Sequence, residues 1–296
     1  MELVREVGGG IYLIDTCMGG VPEFTAVYLV VGKRSCMLVD SGPSTGVEYV
    51  IKGLGHLGVD PEDVGYVLLT HVHLDHAGGI GDLLEELPGA VAMVRRGMES
   101  LISDPGRLVE SARRALGPLF AMYGEMRPVA PDRLWGVEEE VLDLGGRRIR
   151  VFPTPGHSRS HLCALDETTA TLFCGDSLGM FLADEGKVLP VTPPPDFDLE
   201  EQRSTLEKLA ALGFRRACFS HFGWTVHGPD LVARCRRALE RMVDEVRRGL
   251  ARQLSDEEIA EGIMRLLEVD TPYGEFMFRG MSLVSVKGIM RYLRWS

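Results

Sequence analysis

Between positions 71 and 76 the chain reads His71-Val72-His73-Leu74-Asp75-His76, four metal-competent side chains in six residues. Three of the eight histidines of the whole chain fall here, a density that packing does not explain. The motif follows an apolar run, Tyr66-Val67-Leu68-Leu69, and precedes Ala77-Gly78-Gly79. If the strand continues through it, His71, His73 and Asp75 point to one side, and Val72 and Leu74 to the other. His76 breaks the alternation, so the chain is expected to turn there, where the glycines permit it. That turn would aim Asp75 and His76 at a different point from His71 and His73, as two adjacent metal ions would need.

Composition narrows what surrounds this motif. The chain has 296 residues, 45% of them hydrophobic and 25% charged. That is enough for a large core in one domain, or one domain with an appendage. No apolar run approaches the ~18–20 residues of a membrane span. The opening Met1-Glu2-Leu3-Val4-Arg5-Glu6 lacks the apolar stretch of a signal peptide, so a cytoplasmic protein with no membrane partner is expected. The net charge of −11 argues against a nucleic-acid partner. The six cysteines (17, 36, 163, 174, 218 and 235) include no CxxC pair, so no thiolate zinc site is signalled and reduced, buried thiols are expected.

Taken in order, the chain begins with short β-like runs at 11–14, 26–31 and 35–39, the last ending in Asp40-Ser41-Gly42-Pro43. A helix is expected over 44–57, then the strand that delivers the motif, a helix at 80–87 and a strand at 91–94. Residues 95–130 read as a helical insertion rich in Met and aromatics, either a wall of a substrate pocket or an ordinary core stripe. Strands are expected at 140–144 and 148–152 around the Gly145-Gly146 turn, and at 162–165, 171–174 and 217–219, with a helix at 199–212. Beyond residue 228 the apolar spacing is helical, and Ser255 to Glu258 forms a capping-box pattern. The aromatic segment 272–278 reads as a pocket wall, a homodimer contact or core beneath the helices.

Four more metal-competent residues stand just past strand ends: Asp40, His157, Asp176 and His221. Repeated so often, the pattern implies a cleft at one edge of a sheet sandwich, lined by strand ends. On position alone Asp40 would be a turn-capping residue.

The stretches Asp40, His71-Val72-His73-Leu74-Asp75-His76, Pro155-Gly156-His157, Gly175-Asp176 and Ser220-His221 resemble, in order, the five motifs of the metallo-β-lactamase superfamily. The overall style is similar to the branch of hydroxyacylglutathione hydrolases (glyoxalase II) and acyl-homoserine lactonases. The resemblance implies an α/β fold, a four-layer αββα sandwich. It implies a catalytic domain over 1–228 carrying the 95–130 insertion, with a helical extension, 229–296, packed on the core. It also implies two divalent metal ions. His71, His73 and His157 would hold the first, Asp75, His76 and His221 the second. Asp176 would bridge them beside a hydroxide, and Asp40 would orient a motif histidine. The donor set of imidazole and carboxylate suits zinc first, and also iron, manganese or cobalt. His161 and His227 are surplus to this set, and Tyr123 has no assigned role.

The activity so implied is hydrolysis of an ester, lactone or thioester carbonyl in a small-molecule substrate by metal-activated hydroxide, with Asp75 or Asp176 relaying the proton. Phosphoesters are a variant of the same chemistry. The competing reading is an iron-dependent persulfide dioxygenase, which keeps much of the same histidine set. A diiron flavoprotein is disfavoured, because His73 stands where those proteins usually carry Glu. A nuclease ranks last on charge.

Overall fold

The computed structural model describes residues 2–182, 187–268 and 275–295. Seven strands form one sheet in chain order: β1 (Val4–Glu6), β2 (Ile11–Asp15), β3 (Ala26–Val31), β4 (Cys36–Val39), β5 (Val64–Leu68), β6 (Val91–Arg95) and β7 (Leu134–Val137). The first four are antiparallel, and β4 through β7 run parallel. Parallel neighbours need crossovers. The helices Val47–His56, Ile80–Glu86 and Gly106–Leu116 supply them on one face. A second sheet contains β8 (Glu140–Asp143), β9 (Arg148–Pro153), β10 (Leu162–Asp166) and β11 (Thr171–Phe173). After a separate hairpin of β12 (Met180–Leu182) and β13 (Lys187–Leu189), it is completed by β14 (Arg216–Cys218) and β15 (Trp224–Thr225). The chain passes from the first sheet to the second once, between Val137 and Glu140.

The strand pleat explains the layering, because alternate residues enter opposite cores. Ile14, Val27, Leu29 and Leu38 face the helices over the first sheet. Leu13, Tyr28, Val30 and Met37 face inward, against Leu142, Ile149, Val151, Leu162 and Phe173 of the second sheet. Cys163, Leu165 and Leu172 point outward into a third cluster. Its other side comes from the helices Leu199–Ala210, Gly228–Ala251 and Asp256–Leu267, and from Val286 and Ile289 of Glu275–Trp295. The result is helix, sheet, sheet, helix: the αββα sandwich, with C-terminal helices sharing the second sheet's core. The capping box at Ser255 and Glu258 opens Asp256–Leu267.

Insertion 95–130 sends Val109, Phe120, Met126 and Val129 into the core of the first layer as an ordinary apolar stripe. Its last helical turn, Phe120–Tyr123, carries Met122 and Tyr123 into a smaller cluster with Met18, Phe24, Met180, Leu182 and Leu189. All six cysteines are free and buried. Of the aromatic segment, 272–274 lie outside the described residues, and Glu275 begins the last helix. Among the described residues no helix is long and apolar enough to cross a membrane.

One expectation fails. The strand does not run through the histidine motif: β5 ends at Leu68, and residues 74–77 form a helical turn with His73 at its N-cap. The reason is at Thr70, whose backbone N–H goes to the Asp40 carboxylate (2.7 Å) instead of a neighbouring strand. The two sub-clusters expected of an alternating strand are still present, but loop and helical turn separate them.

Candidate metal centre

Five segments meet at one edge of the sandwich. Asp40 follows β4 in a left-handed backbone conformation (φ 65°), one that Asp tolerates better than most residues. Its buried carboxylate accepts from Thr70 N (2.7 Å), Thr70 Oγ1 (3.1 Å), Ser220 Oγ (2.6 Å) and His76 Nδ1 (3.0 Å). One side chain therefore ties the end of β4 to the motif and to the neighbour of His221. Tyr28 braces the same region, its hydroxyl lying 2.8 Å from Phe219 O and 2.6 Å from Gly223 O, on either side of His221.

His71, His73 and His157 present ring nitrogens to one another, with His71 Nε2 2.8 Å and His157 Nε2 3.1 Å from His73 Nδ1. His157 donates its Nδ1–H to Val191 O (2.8 Å), leaving the Nε2 lone pair inward. Asp75, His76 and His221 form the other group. The hydrogen bond from Nδ1 to Asp40 likewise turns His76 Nε2 inward. It lies 3.6 Å from both Asp75 Oδ2 and Asp176 Oδ1. Asp176 faces both groups, with Oδ2 3.5 Å from His157 Nε2 and 3.4 Å from His221 Nε2.

These residues fit a cation better than they fit each other. His76 Nε2 and Asp176 Oδ1 are buried and without a hydrogen-bond partner, each a cost of about 1–3 kcal/mol if left so. Donors bound to a tetrahedral ion at about 2.0–2.2 Å stand roughly 3.3–3.6 Å apart. The carboxylate–imidazole separations match that, whereas His71 Nε2 and His157 Nε2 sit closer than that to His73 Nδ1. Burial, reinforced by neighbouring imidazoles, lowers His71, and burial pushes His157 down to about 4. For His76, burial also opposes charge, but Asp176, Asp75 and Asp40 outweigh it and push the ring up to about 10. His221 likewise rises against burial, because of Asp176 and then Asp75. Asp176 would be raised by burial, yet His221, His76 and His157 hold it well below the usual carboxylate range. The first group is thus neutral lone pairs, and the second a negative pocket holding protons that a cation would replace.

All seven metal candidates and Asp40 converge. His161, surplus in the sequence, is fully buried beside His71, their rings 5.1 Å apart. His227 does not join them; it is exposed at the start of Gly228–Ala251. Burial, then Asp75 and Asp176, raise the Tyr123 phenol, which keeps its proton near the two carboxylates. Sequence reasoning missed the supports. Thr70 and Ser220 adjoin motif residues and could have been suspected, but nothing in the sequence points to the Val191 carbonyl.

The family model described as the metallo-beta-lactamase superfamily matches residues 20–221, a stretch that holds all seven metal candidates and Asp40. The chain is 34% identical over 207 residues to the metallo-beta-lactamase fold-containing protein ST1585 of Sulfurisphaera tokodaii, covering 68% of this chain and 74% of that one. The crystal structure of ST1585 superposes with a TM-score of 0.69 over 93% of this chain and 94% of that one, at 28% identity. A hydroxyacylglutathione hydrolase of Prochlorococcus marinus is 26% identical over 69% of this chain and 67% of its own length. The lactamase-like protein nscB of Aspergillus fumigatus is 27% identical over 71% of this chain, which spans about half (51%) of that relative. Sandwich, ordered motifs and clustered donors agree with these matches, and the chain belongs to the metallo-β-lactamase superfamily.

Proposed function

We propose that the protein is a dinuclear metal-dependent hydrolase acting on an ester, lactone or thioester carbonyl, with phosphoesters as a variant. The observation that supports this most is the pair of unpartnered buried atoms, His76 Nε2 and Asp176 Oδ1, set between two three-residue donor groups. His71, His73 and His157 would hold one ion, Asp75, His76 and His221 the other, with Asp176 shared. When bound, such ions supply Lewis acidity toward a carbonyl oxygen and activate water at neutral pH. Zinc is the first choice for this donor set.

The protein's own groups divide the remaining work. Asp75, 13% exposed against 2% for Asp176, is the carboxylate open to the substrate side and takes the proton released on attack. Tyr123, protonated near both carboxylates, donates a hydrogen bond to an incoming oxygen. The apolar cluster around Met18, Phe24, Met122, Met180 and Leu189 adjoins the centre, with the Phe24 ring 5.9 Å from that of His221. It suits the organic part of an acyl substrate.

Metal analysis, with a panel of lactones, thioesters and phosphoesters on the same preparation, tests the proposal. Full hydrolysis by metal-free protein would overturn it. Oxygen uptake with glutathione persulfide by an iron-containing preparation would replace it with the dioxygenase reading. Asp40→Asn keeps the left-handed backbone but removes the charge, and is expected to weaken metal binding about 10–100-fold, as measured by chelator competition.

A further inference from the structure

His161 is a buried histidine outside both donor groups, yet every polar atom of its ring is engaged by the segment that presents Asp176. The backbone N–H of Asp176 can only donate, and it points at His161 Nε2 from 3.0 Å. That fixes Nε2 as the acceptor and places the ring proton on Nδ1. Nδ1 lies 2.8 Å from Thr154 Oγ1 and 3.2 Å from Ser177 Oγ. Thr154 belongs to the same loop, and its N–H donates to the His161 carbonyl at 3.0 Å. One face of the ring stacks on His71, with centroids 5.1 Å and planes 28° apart. Gly175, at φ +47°, passes so close that a Cβ there would lie 2.6 Å from His161 Nε2, so a side chain at this turn would displace the ring. Ring and turn are built around each other.

We propose that His161 is a positioning residue: it holds the Gly175-Asp176 turn so that the shared carboxylate faces both donor groups, and it props the His71 ring. The inference rests on the metal-centre reading above and adds a residue that reading leaves out. His161→Phe fills much the same volume and can still stack on His71, but offers Asp176 no acceptor. His161→Gln places an amide oxygen within reach of the same N–H.

The experiment titrates zinc into the full-length protein against a chromophoric chelator, with circular dichroism of the metal-free forms as the folding control. Outer partners of metal ligands commonly contribute 10–100-fold in affinity. His161→Phe is expected to weaken zinc binding by about that much and to lower kcat more than it raises KM, while His161→Gln recovers most of both losses. Wild-type affinity in His161→Phe, or equal weakening in both variants, overturns the inference. If His161→Phe does not fold, Thr154→Val carries the same readout: about tenfold weaker binding supports the inference, and unchanged binding overturns it. Wild-type protein that takes up no zinc at all sinks the metal-centre reading and this inference together. Unchanged variants beside a zinc-binding wild type sink this inference alone.

Discussion

Asp176→Ala is expected to lose bound metal and hydrolysis in the same measurement. Asp176 is the carboxylate that faces both donor groups, with His157 and His221 within 3.5 Å of Oδ2 and His76 3.6 Å from Oδ1. Removing one partner of a buried charged set typically costs about 3–5 kcal/mol, which read as affinity is roughly 10²–10⁴-fold. Metal stoichiometry and kcat/KM, determined on one preparation, check it. A variant that keeps two ions while losing activity would make Asp176 a proton carrier only. One that keeps both ions and full activity would remove it from the centre altogether.

The second large effect lies at the opposite end of the sandwich. Arg147, 8% exposed, donates to the fully buried Asp166 from Nη2 (2.6 Å) and Nε (3.1 Å). Its Nη1 reaches Gly9 O (2.9 Å), Gly10 O (3.3 Å) and Val31 O (2.9 Å), which belong to the first sheet's side of the interface. Arg147→Met leaves the buried Asp166 carboxylate without its cation, held only by Thr168 N–H and Thr169 Oγ1, and takes a donor from Gly9 O and Val31 O; about 3–5 kcal/mol of stability is expected to go in urea unfolding. Arg147→Met with Asp166→Leu should cost less than the single change, because no buried charge is left alone. β10 runs from Leu162, near the metal centre, to Asp166, at the far end. Metal content per folded molecule should therefore stay at the wild-type value, separating the stability of the sandwich from the chemistry at its edge.

These two sites differ in how far the sequence discloses them. The donor set is legible because its residue types are rare and recur just past apolar runs. Asp40 is a different case: its position reads as a turn cap, and only the resemblance to known motifs raises it to a support of His76. The backbone through residues 71–76 was legible only in the turn expected at His76, which falls in the helical turn 74–77. Periodicity cannot register that the Thr70 N–H is taken by a carboxylate thirty residues earlier, which ends the strand. β7 escapes for a local reason, since Leu134-Trp135-Gly136-Val137 is short and interrupted by glycine. The hairpin of β12 and β13 has three-residue strands that periodicity does not resolve. Arg147 reads as half of a solvated Arg-Arg pair, although Arg147 is buried and Arg148 exposed. Side-chain destinations across the sandwich are tertiary facts, and single-sequence patterns do not carry them.

The single passage of the chain between sheets, at Val137 to Glu140, has a consequence for assembly. Severed there, the molecule would part into two pieces, each owning one complete sheet. The first piece would keep His71, His73, Asp75 and His76, and the second His157, Asp176 and His221. Each proposed ion would then be gripped from both pieces, so neither piece alone could close a coordination sphere. Under mass action, divalent cation would act as the fastener that favours reunion, and chelator as the agent that releases it.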